Sequence, residues 1–333
     1  MSRVFTAFVE CLNIFYKEIR MKKKIVLATV CMILLVLVSP VFAQTSIFGN
    51  TPPKAMFVAM DSMDLHWLKL TRGAIQKAQE LKIDFANSAP AGKVDSAQQI
   101  AIMEDAITAK YDIILLAPQN ANALVPVANK AKAAGIKLII VDSMLGTGGQ
   151  YDAFIGTDNA AAARTAADTL AAAIGGKGKV AIVNAQAGAA TAMTRENEFK
   201  AQMAAKYPGI TIVGTQYSDG DKAKALNIAT DFMRANPDLA GIYACNEGST
   251  VGVGNAVKQA GKVGKVIVVG WDKSPESQAL ILDGTINAIM VQNPAIMGSK
   301  GIQAGVDLMN GKTVLKSDDS GCTIGTKANI ASL

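Results

Sequence analysis

The chain has 333 residues, enough for two domains, and its 50% hydrophobic and 18% charged residues exclude a disordered protein. Its formal net charge of +6 comes mostly from the first 43 residues, which hold six basic and two acidic groups. The remainder is close to neutral, so it has no basic field with which to bind nucleic acid.

The N-terminus predicts export. Lys22–Lys24 precede the apolar stretch Ile25–Val38, and an A-x-A-like site ends at Ala43, which together form the pattern of a secretory signal peptide. An uncleaved segment would be a membrane anchor, but this stretch is shorter than the roughly 20 apolar residues that span a bilayer. We therefore expect an N-terminal extension and signal peptide over 1–43, cleavage after Ala43, and a periplasmic mature protein.

The cysteines and the single histidine restrict the chemistry of any site. Cys11 and Cys31 belong to the leader, whereas Cys245 and Cys322 lie far apart without a CxxC pattern. Two cysteines permit a disulfide in an exported protein but do not define one, and we expect two free thiols. Because His66 is the only histidine, a His-rich metal site is excluded, and no GxSxG motif accompanies it. We expect no cofactor and no metal.

Short β-branched runs alternate with Ala-rich amphipathic segments along the rest of the chain. The predicted strands are Ala55–Met60, Ile83–Asn87, Ile113–Ala117, Leu138–Asp142, Ala153–Thr157, Lys179–Asn184, Thr211–Tyr217, Gly241–Cys245, Val266–Trp271 and Asn287–Gln292. The predicted helices are Trp67–Leu81, Ser96–Ala109, Ala123–Ala134, Ala160–Ile174, Thr194–Tyr207, Lys222–Ala235, Ser249–Ala260, Pro275–Leu282 and Ala295–Asn310. Continuously apolar strands are typical of parallel sheets covered on both faces. The alternation predicts two doubly wound parallel-sheet α/β domains with a ligand cleft at the carboxyl ends of the strands.

A polar residue stands at the carboxyl end of three predicted strands. Asp142 is the last residue of its strand, whereas Asn246 and Asp272 each directly follow theirs, and each of the three precedes a loop or a helix. Each one alone is as consistent with a helix cap as with a ligand contact. Their common position at the carboxyl ends of strands favours a cleft that binds a polyhydroxylated molecule.

A set of segments, in this order, resembles the ribose/galactose type of periplasmic sugar-binding protein, the substrate receptors of ABC importers. The segments are 61–67, Val141–Asp142, Gly156–Asn159, Ala192–Phe199, Tyr243–Glu247, Val269–Asp272 and Val291–Pro294. The resemblance covers Lys54 to Leu333 and implies the fold called periplasmic-binding-protein-like I. It places the sugar contacts at Asp64, His66, Trp67, Asp142, Arg195, Asn246, Asp272 and Gln292.

The resemblance implies a solute-binding protein that captures a monosaccharide or sugar alcohol and delivers it to an ABC transporter permease. A chemoreceptor is an alternative partner, and we expect a monomer. A three-segment hinge would join a lobe of 44–157 plus 293–320 to a lobe of 158–292 plus 321–333. Asp142 and Asp272 would then lie on opposite lobes as hydrogen-bond acceptors, rather than as the carboxylate pair of a glycosidase, so we expect no catalysis.

The chain departs from the ribose-binding pattern at three positions, which puts ribose itself in doubt. His66 stands where a second aromatic is expected, Ser143 where an arginine follows the aspartate, and Gly220 where a further aromatic faces the sugar. At Trp67, the alternative to a stacking surface for the sugar is a core aromatic residue. At Arg195, the alternative is a solvated helix residue that pairs with a nearby glutamate.

Two other functions share parts of this architecture. A dinucleotide-dependent enzyme would need a Gly-rich strand-to-helix turn, but the nearest pattern, Gly252–Val257, lacks the third glycine and lies within a predicted helix. A sugar-responsive transcription regulator would need a helix-turn-helix before Lys54, where the leader lies instead.

Overall fold

The computed structural model describes residues 51–62, 64–91 and 95–333, and the leader predicted over 1–43 lies outside the described residues. Residues 52–333 form one unit, and its described residues contain twelve strands and nine helices. All ten strands and nine helices predicted from the sequence are present, with ends that differ by four residues or fewer. Within the described ranges, no helix combines the length and apolar character needed to cross a bilayer.

The elements follow one another as alternating strands and helices. The strands are β1 (Lys54–Val58), β2 (Asp84–Ser88), β3 (Ile113–Leu116), β4 (Lys137–Val141), β5 (Ala153–Gly156), β6 (Gly178–Asn184), β7 (Ile210–Tyr217), β8 (Leu239–Ala244), β9 (Ile267–Trp271), β10 (Ala288–Gln292), β11 (Ser317–Asp319) and β12 (Cys322–Gly325). The helices are α1 (Leu65–Leu81), α2 (Ser96–Thr108), α3 (Val125–Ala133), α4 (Asn159–Ala173), α5 (Ala190–Lys206), α6 (Lys222–Ala235), α7 (Glu247–Gln259), α8 (Pro275–Leu282) and α9 (Pro294–Met309).

The strands form two six-stranded sheets. The first sheet has the order β11-β5-β4-β3-β1-β2, and the second has the order β12-β10-β9-β8-β6-β7. All neighbouring strands are parallel except β10 and β12. The predicted two-sheet, doubly wound α/β fold is therefore confirmed.

Successive residues of a central strand pack on opposite faces of their sheet, as the apolar runs require. In β3, Ile114 belongs to a buried cluster with Met103 of α2, whereas Leu115 contacts α9 at Gly301. Both faces of the second sheet are covered in the same way, so the carboxyl ends of the strands are the part of each sheet left to form a site.

The antiparallel direction of β12 differs from the parallel sheets predicted. The chain leaves the first sheet at the carboxyl end of β11 and, after only two residues, enters the second sheet at β12. Because the carboxyl ends of both sheets face the same cleft, a strand that enters there must run against its neighbour β10.

The chain passes between the sheets three times, after β5, after β10 and after β11. These crossings are hydrogen-bonded to one another. Asp319 Oδ1 accepts from the backbone N–H groups of Asp158 at 3.1 Å and Gly321 at 2.9 Å, and Asn293 Nδ2 donates to Ser320 O at 3.0 Å. The lobe boundaries drawn around these crossings stay a prediction.

Helices α1 and α9 touch through their backbones. A methyl group at Gly298 would lie 2.1 Å from Leu70 O, and one at Gly73 would lie 2.0 Å from Ala295 O. Glycine is needed at both positions because any side chain would force the helices apart.

We expect Gly298→Ala to lower the free energy of unfolding by about 1–3 kcal/mol, the usual cost of overpacking. Chemical denaturation measures this change. The control is Ser299→Ala on the same helix, where no atom is added and the effect should be within about 0.5 kcal/mol. Equal stability of the two variants would show that α1 and α9 separate without strain.

Candidate functional site

A cavity lies between the carboxyl ends of the two sheets, with about 570 Å³ of space free of protein atoms, part of it open to solvent. Side chains from both sheets and from α1 and α5 line it. All eight residues predicted from the sequence are among them: Asp64, His66, Trp67, Asp142, Arg195, Asn246, Asp272 and Gln292. The structure therefore brings the predicted set together, and contact of these residues with a ligand stays a prediction.

Asp142 and Asp272 occupy equivalent places in the two sheets. Each directly follows a strand and has a left-handed backbone, with φ +62° at Asp142 and φ +69° at Asp272. The backbone N–H of Asp142 donates to Ile155 O, and that of Asp272 donates to Met290 O, both at 2.9 Å and both on a neighbouring strand. This conformation costs a non-glycine residue of order 1–3 kcal/mol and is concentrated at functional sites. It turns both carboxylates into the cavity.

His66 lies between these two carboxylates. Its Nε2 is 3.0 Å from Asp142 Oδ1, and its Nδ1 is 3.7 Å from Asp272 Oδ1. Burial lowers the pKa of the imidazole, but the charges and hydrogen bonds of the two carboxylates outweigh burial and raise the pKa of His66 from 6.5 to about 10. The histidine that replaces the expected aromatic is thus a buried cation.

Gln292 supports Asp272 from the next strand. Its Nε2 donates to Asp272 Oδ1 at 2.9 Å. Burial raises the pKa of Asp272, but the hydrogen bond and charge of His66 outweigh it, so the net pKa is lowered and the carboxylate stays ionised. Gln292 Oε1 and Trp67 Nε1 are buried, and within the described residues neither has a hydrogen-bond partner. The cavity therefore has an acceptor and a donor that a polar ligand could satisfy.

Arg195 is buried on the opposite wall. Its Nε donates to Asn159 Oδ1 and its Nη1 to Cys245 O, both at 2.8 Å. Its Cζ lies 3.5 Å from the centroid of the Trp271 ring, a cation–π contact. The guanidinium is thus held in one orientation, and the alternative of a solvated helix residue is wrong.

The aromatic layer behind Arg195 is itself fixed. Trp271 Nε1 donates to Tyr243 OH at 2.7 Å, and Tyr243 stacks on Phe199 with ring centroids 4.1 Å apart and planes within 4°. Neither Trp271 nor Tyr243 is exposed. Sequence reasoning assigned them no role because their function is to position another residue.

Asn246 is the N-cap of α7, where its Oδ1 accepts from Ser249 N–H at 3.0 Å, so the helix-cap interpretation is confirmed. It also lines the cavity, and its contact with a ligand stays a prediction. Trp67 is 7% exposed, lines the cavity, and meets the His66 ring edge-to-face with centroids 4.8 Å apart, while its role as a stacking surface for a sugar stays a prediction.

Gly220 and Ser143 are the other two departures from the ribose-binding pattern, and the first lines the cavity whereas the second is buried in the cleft. Gly220 lines the cavity, so the position of the missing aromatic belongs to the wall. Ser143 is fully buried, and its Oγ accepts from Thr191 N–H at 3.4 Å, between the two sides of the cleft.

The two sides of the cleft are in contact with each other beside the cavity. Ala121 N–H donates to Gly188 O at 3.0 Å, and Lys69 Nζ donates to Lys273 O. Thr191 Oγ1 donates to Asp142 O at 3.2 Å. This is the closed arrangement of a two-lobed cleft.

Three further features bear on dinucleotide binding, metal binding and disulfide formation. The glycines of the segment 252–257 lie inside α7, not in a strand-to-helix turn. In the described part of the chain, no group of three or more His, Cys, Asp or Glu could hold a metal ion. Cys245 and Cys322 are free thiols.

The sequence of residues 56–313 matches the family described as periplasmic binding protein domain. The chain belongs to this family. It is 33% identical over 260 residues to the D-allose-binding periplasmic protein of Escherichia coli K12, covering 76% of this chain and 83% of that protein. It is 28% identical to the D-ribose/D-allose-binding protein of Pseudomonas aeruginosa, covering 81% and 86% of the two chains.

Solved structures agree with this assignment. An ABC transporter solute-binding protein from Agrobacterium vitis, solved with bound D-fucose, superimposes with a TM-score of 0.82 at 36% identity. The match covers 84% of this chain and 97% of that one. The periplasmic-binding-protein fold implied by the sequence is therefore confirmed.

The single histidine of this binding protein makes its pKa directly measurable. In untagged protein, the His66 ring signals in NMR should not titrate between pH 5.5 and 8.5, because the folded pKa is about 10. Since the pKa of His66 in the folded protein lies above its value in the unfolded chain, the charged His66 stabilises the folded state. This contribution to the free energy of unfolding is fully present below about pH 6.5 and is lost as the pH rises through about 10.

Asp142→Asn and Asp272→Asn should each lower the titration midpoint of His66, and the exposed Asp231→Asn should leave it unchanged. A midpoint near 6.5 in the parent protein would contradict the ion pairs described here.

Proposed function

We propose that this protein captures a neutral monosaccharide or sugar alcohol in the cavity and delivers it to an ABC transporter permease. The observation that carries the proposal is the convergence of Asp142, Asp272, Arg195, Asn246 and Gln292 on one enclosed space, each on a rigid support. The names of its relatives, which include D-allose- and D-ribose-binding proteins, support the same class of ligand.

The chemistry of the lining suits hydroxyl groups. The side-chain oxygens of Asp142 and Asp272 accept from hydroxyls, and the fixed guanidinium of Arg195 donates to a ring oxygen or to adjacent hydroxyls. The amide of Gln292 offers its unpaired oxygen as an acceptor. The Trp67 ring provides a flat surface for the C–H face of a sugar.

Gly220 bears on the size of the ligand. Where the ribose-binding pattern has an aromatic wall, this chain has a glycine in the cavity lining, which leaves that wall without a side chain. We therefore favour a hexose or an acyclic polyol over ribose. Sites built to pair with specific hydroxyls reject analogues that lack them, because buried partners are left unsatisfied.

We infer that the chain works as two lobes, 44–157 plus 293–320 and 158–292 plus 321–333, joined by the three crossings. A ligand that contacts both lobes stabilises the closed form by its differential affinity, and the permease recognises that form. Export and cleavage after Ala43 would place the protein, as a monomer without catalytic activity, on the periplasmic side of the membrane.

A thermal-shift screen tests the ligand class. D-allose, D-ribose, D-arabinose, D-fucose, xylitol, amino acids and nucleosides are tested at equal concentration. A bound sugar at about a hundred times its Kd adds about 2.7 kcal/mol to the stability of the folded state, which raises the melting temperature. A rise with only an amino acid or a nucleoside would contradict the assignment.

Variants of the site give the same screen a second test. Asp272→Asn and Arg195→Met should abolish the shift, whereas the exposed Asp231→Asn and Arg234→Met should retain it. Far-ultraviolet circular dichroism without sugar checks that each variant is folded. Full shifts in both site variants would show that the site lies elsewhere.

Small-angle scattering tests the hinge. Because a ligand that bridges the lobes favours closure, the radius of gyration should fall when a sugar found by the screen is added. An unchanged or larger radius of gyration would contradict the proposed motion.

A further inference from the structure

Glu247 is a buried carboxyl group beside the proposed sugar site, and one of its oxygens has no hydrogen-bond partner within the described residues. It is the first residue of α7, directly after the cavity-lining Asn246, and is only 2% exposed. Its Oε2 is fully buried and has no partner among the described residues. An unpaired carboxylate in such a place is strongly unfavourable, and the usual response is protonation.

The acidic groups that face Glu247 come from both sides of the cleft. Asp272 follows β9 of the second sheet, whereas Asp64 is the N-cap of α1, which follows β1 of the first sheet. Burial and these two negative charges together raise the pKa of Glu247 from 4.5 to about 7. Its environment therefore depends on the two lobes being together.

Two cations also face Glu247, but both are engaged elsewhere. His66 lies between the two carboxylates of the central cavity. Lys222 Nζ is 2.7 Å from Glu276 Oε2, on the surface. Both lower the pKa of Glu247, and neither outweighs burial.

We propose that Glu247 makes sugar capture proton-linked, taking up a proton when the lobes close over the ligand and releasing it when they open. The proposal rests on the proposed function. When the lobes separate, Glu247 loses the neighbours on the first lobe, gains solvent, and ionises with its ordinary pKa. Because closure raises the pKa, the sugar affinity falls as the pH rises from about 4.5 to about 7 and is constant above that range.

Calorimetric titration with D-allose and with D-fucose tests this linkage. For the parent protein, the affinity should fall about tenfold from pH 6 to pH 8, as expected for one carboxyl group with a closed-state pKa of about 7. In Glu247→Gln, a neutral side chain of the same shape, the affinity should vary little with pH and exceed that of the parent at pH 8.

The matched control is Glu80→Gln, because the side chain of Glu80 lies on α1 and is 63% exposed. This variant should show the same dependence of sugar affinity on pH as the parent protein. Repeating the titration at pH 6.5 in two buffers of different ionisation enthalpy counts the protons taken up. We expect most of one proton in the parent and in the control, and a large loss of uptake in Glu247→Gln. The same pH slope in the parent and in Glu247→Gln would overturn the proposal.

If neither sugar binds, the proposed function fails for these ligands, and the ligand-free protein decides the role of Glu247. In the ligand-free protein with its lobes apart, Glu247 has the same ordinary pKa as in the unfolded chain, so the melting temperatures of the parent and of Glu247→Gln should run parallel between pH 5 and pH 7. A fall of the parent relative to Glu247→Gln over this range would show a raised pKa without closure over a ligand, and would overturn the proposal.

Discussion

His66 is the cation that allows two aspartates from different sheets to share one buried space. Asp142 and Asp272 project into the same cavity, and like charges brought together there would favour protonation of one of them. The imidazole lies within 3.0 Å of Asp142 Oδ1 and 3.7 Å of Asp272 Oδ1, so its positive charge offsets their mutual repulsion. Since Asp272 follows a strand of the second sheet and His66 lies on α1, this ion pair also holds the two sides of the cleft together.

The fold could be predicted because strands and helices leave different hydrophobic patterns in the sequence. The strands are buried on both faces and are continuously apolar, whereas the helices are buried on one face only and are amphipathic. An apolar run such as that of β3 has few alternatives to a central parallel strand. Strand β11 was not predicted, because its three residues, which include Ser317 and Asp318, carry no hydrophobic pattern. Its pairing depends on the end of another strand lying nearby in space, which no local sequence encodes.

The members of the site could be predicted, but their environments could not. Asp142 and Asp272 each follow a strand, and the carboxyl ends of parallel strands lie at one edge of a sheet, so their position at the cleft follows from the sheet topology. The flat contact of Arg195 on Trp271 joins residues far apart in the sequence, so only the folded chain reveals it. Glu247 was missed for the opposite reason. An acidic residue in the first turn of a helix is ordinary and favourable, and the signal that sets it apart is its burial in the folded chain.

The open wall at Gly220 is not a simple truncation of an aromatic side chain. Gly220 has φ +71°, a conformation that L-residues rarely adopt, and its carbonyl oxygen would lie 1.8 Å from a methyl group at Gly248, in the first turn of α7. The loop therefore packs against that turn backbone to backbone, and Gly248 leaves no room for a side chain. An aromatic residue at 220 would have to adopt the left-handed backbone of Gly220, which strains an L-residue. A ribose-like pocket therefore requires a change of the loop backbone as well as a single substitution.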